Sequence, residues 1–181
     1  MVWIDMEMTG LSVSENRIIE IATVVTNKNL DVIAQGPNLV IHQSDEHLAK
    51  MDQWNQQTHG QSGLVDLVKS SQLDEQAAES QTLSFLQEYV EPGTSPLCGN
   101  SVHQDRFFIR TYMPQLDQFL HYRHLDVSVF KLAAYAFDPK QELFRKTDDN
   151  HRAQTDILQS ISECRFYRDL YFNHLKTDIN H

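Results

Sequence analysis

Cysteine is almost missing from this 181-residue chain: Cys98 and Cys164 are the only two, and they form no C-x-x-C pair. That excludes a disulfide framework and a cysteine-built structural zinc site, and it points to a reducing cytoplasm. Long apolar runs are also missing, since none approaches the ~20 residues that a membrane helix needs. There is no repeat, no low-complexity stretch and no convincing linker, so a single domain is expected over residues 1–175 with a short C-terminal tail, 176–181. Strand-like sequence starts at Val2, so no secretory leader is expected. Positive charge is short as well. The formal net charge is −10, with 15 Lys and Arg against 25 Asp and Glu. A protein that coats long nucleic acid carries a basic stripe, so that class is disfavoured. A short phosphodiester substrate remains open, because a divalent cation can supply positive charge locally.

What the chain does have is a pair of acids in an apolar setting. Residues 3–11 read Trp-Ile-Asp-Met-Glu-Met-Thr-Gly-Leu. Side chains two apart on a strand share a face, so Asp5 and Glu7 project side by side. Carboxylates held that close raise each other's pKa unless a cation lies between them, and hard divalent cations take oxygen ligands of this kind. Most acids in short strands are outward and solvated. Here Trp3, Ile4, Met6 and Met8 surround the pair, and Thr9-Gly10 supplies a turn directly after it. The flanks favour a metal site at a strand end.

The remaining pattern is that of a mixed α/β domain, strands first and then strands alternating with helices. Residues 17–26 are β-branched enough for a buried strand. After a turn at 27–31, Val32–Gln35 and Leu39–His42 suggest two further strands, which gives an antiparallel meander. Residues 44–51 and 53–58 read as short helices, with Gly60 and Gly63 as punctuation. Residues 74–90 read as a helix stopped by Pro92-Gly93. Residues 96–99 read as a strand, 104–113 as a helix ended by Pro114, and 122–126 as a strand, with Ser128 capping a helix to Ala136. A last helix, from about Arg152 to Tyr171, carries Ile157, Ile161, Cys164, Tyr167 and Tyr171 on one stripe.

Two later segments offer further ligands. In Gly99-Asn-Ser-Val-His-Gln-Asp105 a strand end meets a helix start, where backbone N–H groups favour anions; Asp105 is either a helix cap or a ligand. In His151-Arg-Ala-Gln-Thr-Asp156 a continuous helix would hold His151 and Asp156 ~140° apart. A helix beginning near Arg152 instead leaves His151 on the preceding polar loop, free to turn toward a site that Asp156 lines. Four acids and one histidine make a coherent hydrolytic set. Oxygen ligands suit magnesium or manganese, two such ions can flank a phosphodiester, and a histidine can take the proton from the attacking water.

The order acid-x-acid, lone Asp, His-x4-Asp resembles the DEDD exonucleases of the His-containing subgroup, which share the ribonuclease H-like fold, and within it the oligoribonuclease family. The likeness is carried by W-I-D-M-E-M-T-G-L (3–11), R-I-I-E-I-A-T (17–23), M-D-Q-W-N (51–55), T-H-G-Q-S-G-L-V (58–65), C-G-N-S (98–101), H-Y-R-H-L-D-V-S (121–128) and H-R-A-Q-T-D-I (151–157). It implies a 3′→5′ exoribonuclease that degrades very short oligomers, dinucleotides above all, with two magnesium or manganese ions. It implies that Asp5, Glu7, Asp105 and Asp156 hold the metals and that His151 is the general base. It further implies Leu11 wedged between bases, Trp54 and His59 near the scissile end, and Ser101, Arg123 and Ser128 around a 5′ phosphate. Tyr122 is expected to reach across from the other subunit of a homodimer. Burial as a core residue is the competing reading for Leu11 and Trp54, an ion pair for Arg123, and a helix cap for Ser128.

The chain departs from the family at His103, where a glycine is usual, at His124 for a tyrosine, at Thr155 for the first of two aspartates, and in residues 131–137, which lack a basic pair. The alternatives are a His-type DEDD exonuclease acting on single-stranded DNA and a non-catalytic dinucleotide-binding module. The H-Y-R segment, the missing basic track and the complete set of acids and histidine argue against them.

Overall fold

A computed structural model describes residues 1–138, 140, 143–146 and 152–172. His151 and the tail at 176–181 lie outside these residues.

Five strands form one mixed sheet in the order β3-β2-β1-β4-β5. β1 (Val2–Met8) runs antiparallel to β2 (Ile18–Thr26), and β2 antiparallel to β3 (Val32–Val40); β4 (Leu97–Gly99) and β5 (His124–Asp126) continue in parallel on the other side of β1. The meander ends in one strand where two were expected. Gly36-Pro37 does not end β3; it falls in a register shift between Ala22 and Val24 of β2, so the strand bulges and continues. Pro37 has no N–H to donate, and β3 is an edge strand, where that absence is tolerated.

Eight helices are described: α1 (Asp45–Leu48), α2 (Gln53–Gln61), α3 (Leu64–Ser70), α4 (Glu75–Gln87), α5 (His103–Tyr112), α6 (Pro114–Phe119), α7 (Ser128–Phe137) and α8 (Ala153–Tyr171). Two of these, α3 and α6, were not expected. The Gly63 that punctuates the sequence is the left-handed N-cap of α3, and the Pro114 that ends α5 is the first residue of α6. Proline at a first helical position gives up only an N–H that has no helical partner. Ser128 does not cap α7: it is the first helical residue, Val127 stands at the cap, and the Ser128 hydroxyl donates to Asp126 at 2.5 Å.

Alternation along β1 decides where the site lies. Val2, Ile4, Met6 and Met8 pack into a core with Ala78 and Leu86 of α4, Phe108 and Ile109 of α5, and Leu116 of α6. Trp3, on the opposite face, packs with Ala22 and Val24 of β2 and with Ala153, Ile157, Ile161 and Tyr167 of α8. Asp5 and Glu7 have the parity of Trp3, so they face α8. The indole Nε1 of Trp3 donates to Thr26 Oγ1 at 2.9 Å, which satisfies the one polar atom of this fully buried ring.

Candidate active site

The turn after β1 closes tightly. A Cβ on Gly10 would lie 2.7 Å from Asn16 Oδ1, so only glycine lets the chain pass there. Asn16 then secures both sides of the turn, donating to Thr9 Oγ1 and accepting from Ser12 N. Beyond it opens a cleft of about 540 Å³ lined by Thr9, Leu11, Asn16, Lys50 and Asp52. Leu11 is 67% exposed at its edge.

Three of the expected acids converge. Among the described residues, Asp5, Glu7 and Asp156 each present an oxygen, and these oxygens lie within 4.8 Å of one another. Asp105 falls outside that set. It sits in the first turn of α5, nearly buried, and its Oδ1 accepts from the Met6 backbone N–H at 3.1 Å, so it is pinned to the strand residue between Asp5 and Glu7. The field of the group is strongly negative. Burial first, then the charges of Asp105, Glu7 and Asp156, push the Asp5 carboxyl well above the usual range. Burial, then Asp156, Glu20 and Asp105, push Glu7 up to about 8. Burial likewise pushes Asp105 up to about 7, against the backbone N–H groups of Asp105 itself and Met6. An all-oxygen set that repels itself in this way fits a hard divalent cation, which would cancel the repulsion. Raised carboxyl pKa values gathered at one end of β1 are the pattern that active sites share.

Several residues that sequence reasoning overlooked build this centre. Glu20 lies opposite Glu7 in the β1–β2 register and is fully buried. Arg152 meets it with Nε at 3.0 and 3.1 Å and Nη2 at 2.6 Å, and the Ala153 N–H adds a bond at 3.1 Å. A buried carboxylate with four such bonds is a satisfied one. This clamp ties the start of α8 to β2 and so sets where Asp156 falls, one turn later. The legible signal was a lone acid in the β-branched strand Ile18–Thr26, which is buried throughout and tolerates a charge only with a partner. Lys146 also enters, with Nζ 2.9 Å from Asp156 Oδ1.

His59 of α2 is 1% exposed, and its Nε2 lies 4.0 Å from Glu7 Oε2. Trp54, on the same helix, is 57% exposed and is no core anchor. Ser101 and Ser128 are brought together by Asp126, whose Oδ1 accepts from Ser101 N at 3.0 Å, Ser128 N at 3.1 Å and the Ser128 hydroxyl. His103 opens α5 beside them, with Nδ1 3.9 Å from Asp126 Oδ2 and its ring edge-on to Phe107. The bulkier residue therefore leaves Asp105 in the first helical turn. Tyr122 is 72% exposed, and the Arg123 guanidinium stacks 5.3 Å from its ring centroid. His124 is exposed on the edge strand β5.

Comparison with known proteins follows the same lines. Exonuclease I in its apo form superposes with a TM-score of 0.72 at 16% identity, covering 97% of this chain and 44% of that one. A metal-free complex of E. coli exonuclease I with single-stranded DNA gives 0.72, also at 16% identity, over 97% and 41%. At that identity the likeness is one of fold, ribonuclease H-like, and the chain spans less than half of exonuclease I. The exonuclease family model, RNase_T, matches residues 2–164. Oligoribonuclease from Pectobacterium atrosepticum is 53% identical over 169 residues, 93% of this chain and 94% of the relative. Oligoribonuclease from Haemophilus influenzae is 52% identical over 169 residues, 93% of each, and one from a Shewanella species is 50% identical over 172, 95% of each. Identity at this level, over nearly the full length of both partners, places the chain in the oligoribonuclease family of exonucleases.

Proposed function

We propose that this protein hydrolyses short oligoribonucleotides from the 3′ end, dinucleotides above all, to mononucleotides, as one exonuclease domain over residues 1–175 that acts with two divalent cations. The observation that carries the reading is the carboxylate set of Asp5, Glu7 and Asp156 with Asp105 pinned beside it. Asp5, Glu7, Asp105 and Asp156 would hold the cations, magnesium or manganese. When bound, these supply charge to the attacking and leaving oxygens of the scissile phosphate.

The chain's own groups do the rest. His151 takes the proton of the attacking water; it directly precedes Arg152, whose clamp on Glu20 fixes the start of α8. His59, buried against Glu7, and Trp54, exposed on the same helix, hold the scissile end. Leu11 at the cleft edge separates the two bases. Ser101 and Ser128, pre-set by Asp126, bind the 5′ phosphate together with Arg123. Such a pocket suits a short substrate, since binding comes from stacking and an end cap and not from a basic track.

The partner is a second copy, with Tyr122 reaching into the neighbouring site. Tyr122 and, on α7, Val129, Leu132, Tyr135 and Phe137 are all more than half exposed, an apolar surface of the kind that subunit contacts cover. Cys98 and Cys164 are buried and unbridged, in keeping with a cytoplasmic protein. Among the described residues no helix is long and apolar enough to cross a membrane.

The test is a product time course on 5′-labelled ribo-oligomers of two to seven nucleotides with magnesium or manganese, beside single-stranded DNA. Dinucleotides should turn over fastest. Preference for the DNA, or binding of dinucleotides without cleavage, defeats the reading.

A further inference from the structure

Among the described residues, one ammonium group enters the carboxylate centre. Lys146 Nζ donates to Asp156 Oδ1 at 2.9 Å, and Asp5 and Glu163 also attract it. The Lys146 side chain is 40% exposed and that of Asp156 only 14%, so the lysine reaches in from the solvent side over a carboxylate that faces inward. Glu163 has its own partner, Asn100 Nδ2 at 3.0 Å, and Arg152 is bound to Glu20. Lys146 is therefore the cation poised on the ligand set itself. The hydrolysis described above gives it no task.

An ammonium and a divalent ion satisfy the same requirement, positive charge among carboxylates that repel one another. They also want the same oxygens. Lysine is a compact point charge on a flexible four-carbon stem. Lys146 lies between α7 and α8, outside any helix or strand, so the side chain can withdraw into solvent without unfolding an element.

We propose that Lys146 is the internal counter-ion of the centre: it pairs with Asp156 in the metal-free protein and competes with the divalent cation for that carboxylate. Metal uptake displaces it, so the lysine sets how much metal the protein needs. This rests on the reading of the carboxylate set as a metal centre.

The experiment is calorimetric titration of manganese alone, without substrate, into the unsubstituted protein, Lys146→Met and Lys146→Arg, together with thermal melting of each in chelator and in saturating manganese. Lys146→Met should bind manganese about three- to tenfold more tightly, the scale of a partly buried ion pair. Its metal-free form should melt below the parent, and saturating manganese should erase the gap. Lys146→Arg keeps the charge and should behave like the parent, which separates charge from packing. Unchanged or weaker manganese affinity in Lys146→Met, or an unchanged metal-free melting temperature, overturns the proposal while leaving the metal centre in place. Failure of the unsubstituted protein to bind manganese overturns both.

Discussion

At the scale of single residues, the active centre is a problem of like charge. Asp5, Glu7 and Asp105 hold protons more tightly than ordinary carboxyls, chiefly because burial opposes ionisation, with the charges of neighbouring acids adding to it. In the metal-free protein the folded state therefore binds more protons than the unfolded one wherever pH lies between the ordinary carboxyl range and the raised values. For Glu7 that window runs from 4.5 to about 8. Stability is full below it and falls as pH rises through it. Metal-free protein should thus melt at lower temperature as pH is raised from about 5 to 8, and saturating manganese should flatten the slope, as scanning calorimetry would show. Asp5→Asn should abolish cleavage of a dinucleotide while leaving the circular dichroism spectrum unchanged. Its metal-free form should melt no lower than the parent, since it removes one of the repelling charges. His151→Ala should lose about 10²–10⁴-fold in kcat, the range for a missing general base, yet keep manganese affinity. Loss of metal affinity there would assign His151 to the wrong task.

At the scale of elements, three pieces of backbone place the acids. β1 presents Asp5 and Glu7 to α8 by strand parity, α5 delivers Asp105 to the Met6 N–H, and α8 delivers Asp156 from its first turn. The start of α8 is held by Arg152 on Glu20, which is fully buried. Glu20→Gln removes the charge under Arg152 and should cost about 3 kcal/mol of folding stability, the scale for breaking a buried pair, as read by urea unfolding. Turnover should fall with it, because Asp156 loses its anchor. The elements themselves were largely readable. Hydrophobic alternation in β1 and the 3.6-residue stripe on α8 both follow from local pattern. The misreadings fell at glycine, proline and serine: Gly36-Pro37 became a bulge, Gly63 and Pro114 became helix starts, and Ser128 turned its hydroxyl to Asp126. Each of these residues suits both an ending and a beginning, and the packing of neighbouring segments decides between them.

At the scale of the whole molecule, a net charge of −10 leaves few cationic groups to grip a long phosphate backbone. With few phosphates to grip, the logarithm of KM for a dinucleotide should rise with the logarithm of salt concentration at a slope of only about 1, given ~0.7 per phosphate contact on single strands. A processive exonuclease assayed beside it should show a much steeper dependence. The exposed apolar face of α7 predicts a dimer by light scattering, and Leu132→Asp with Tyr135→Asp should yield monomers of reduced turnover. Full activity in those monomers would remove Tyr122 from the neighbour's site.

The amino-acid sequence by itself determined the chemistry available: four acids and a histidine in an order that names a metal-dependent hydrolase, on elements whose periodicity is local. Only the tertiary structure decided what neutralises that chemistry. Glu20 and Arg152 are 132 positions apart, and Asp126 gathers Ser101 and Ser128 across two strands. Lys146 reaches Asp156, ten positions along the chain. Counter-charges are chosen by proximity in space, and no spacing along the chain encodes that.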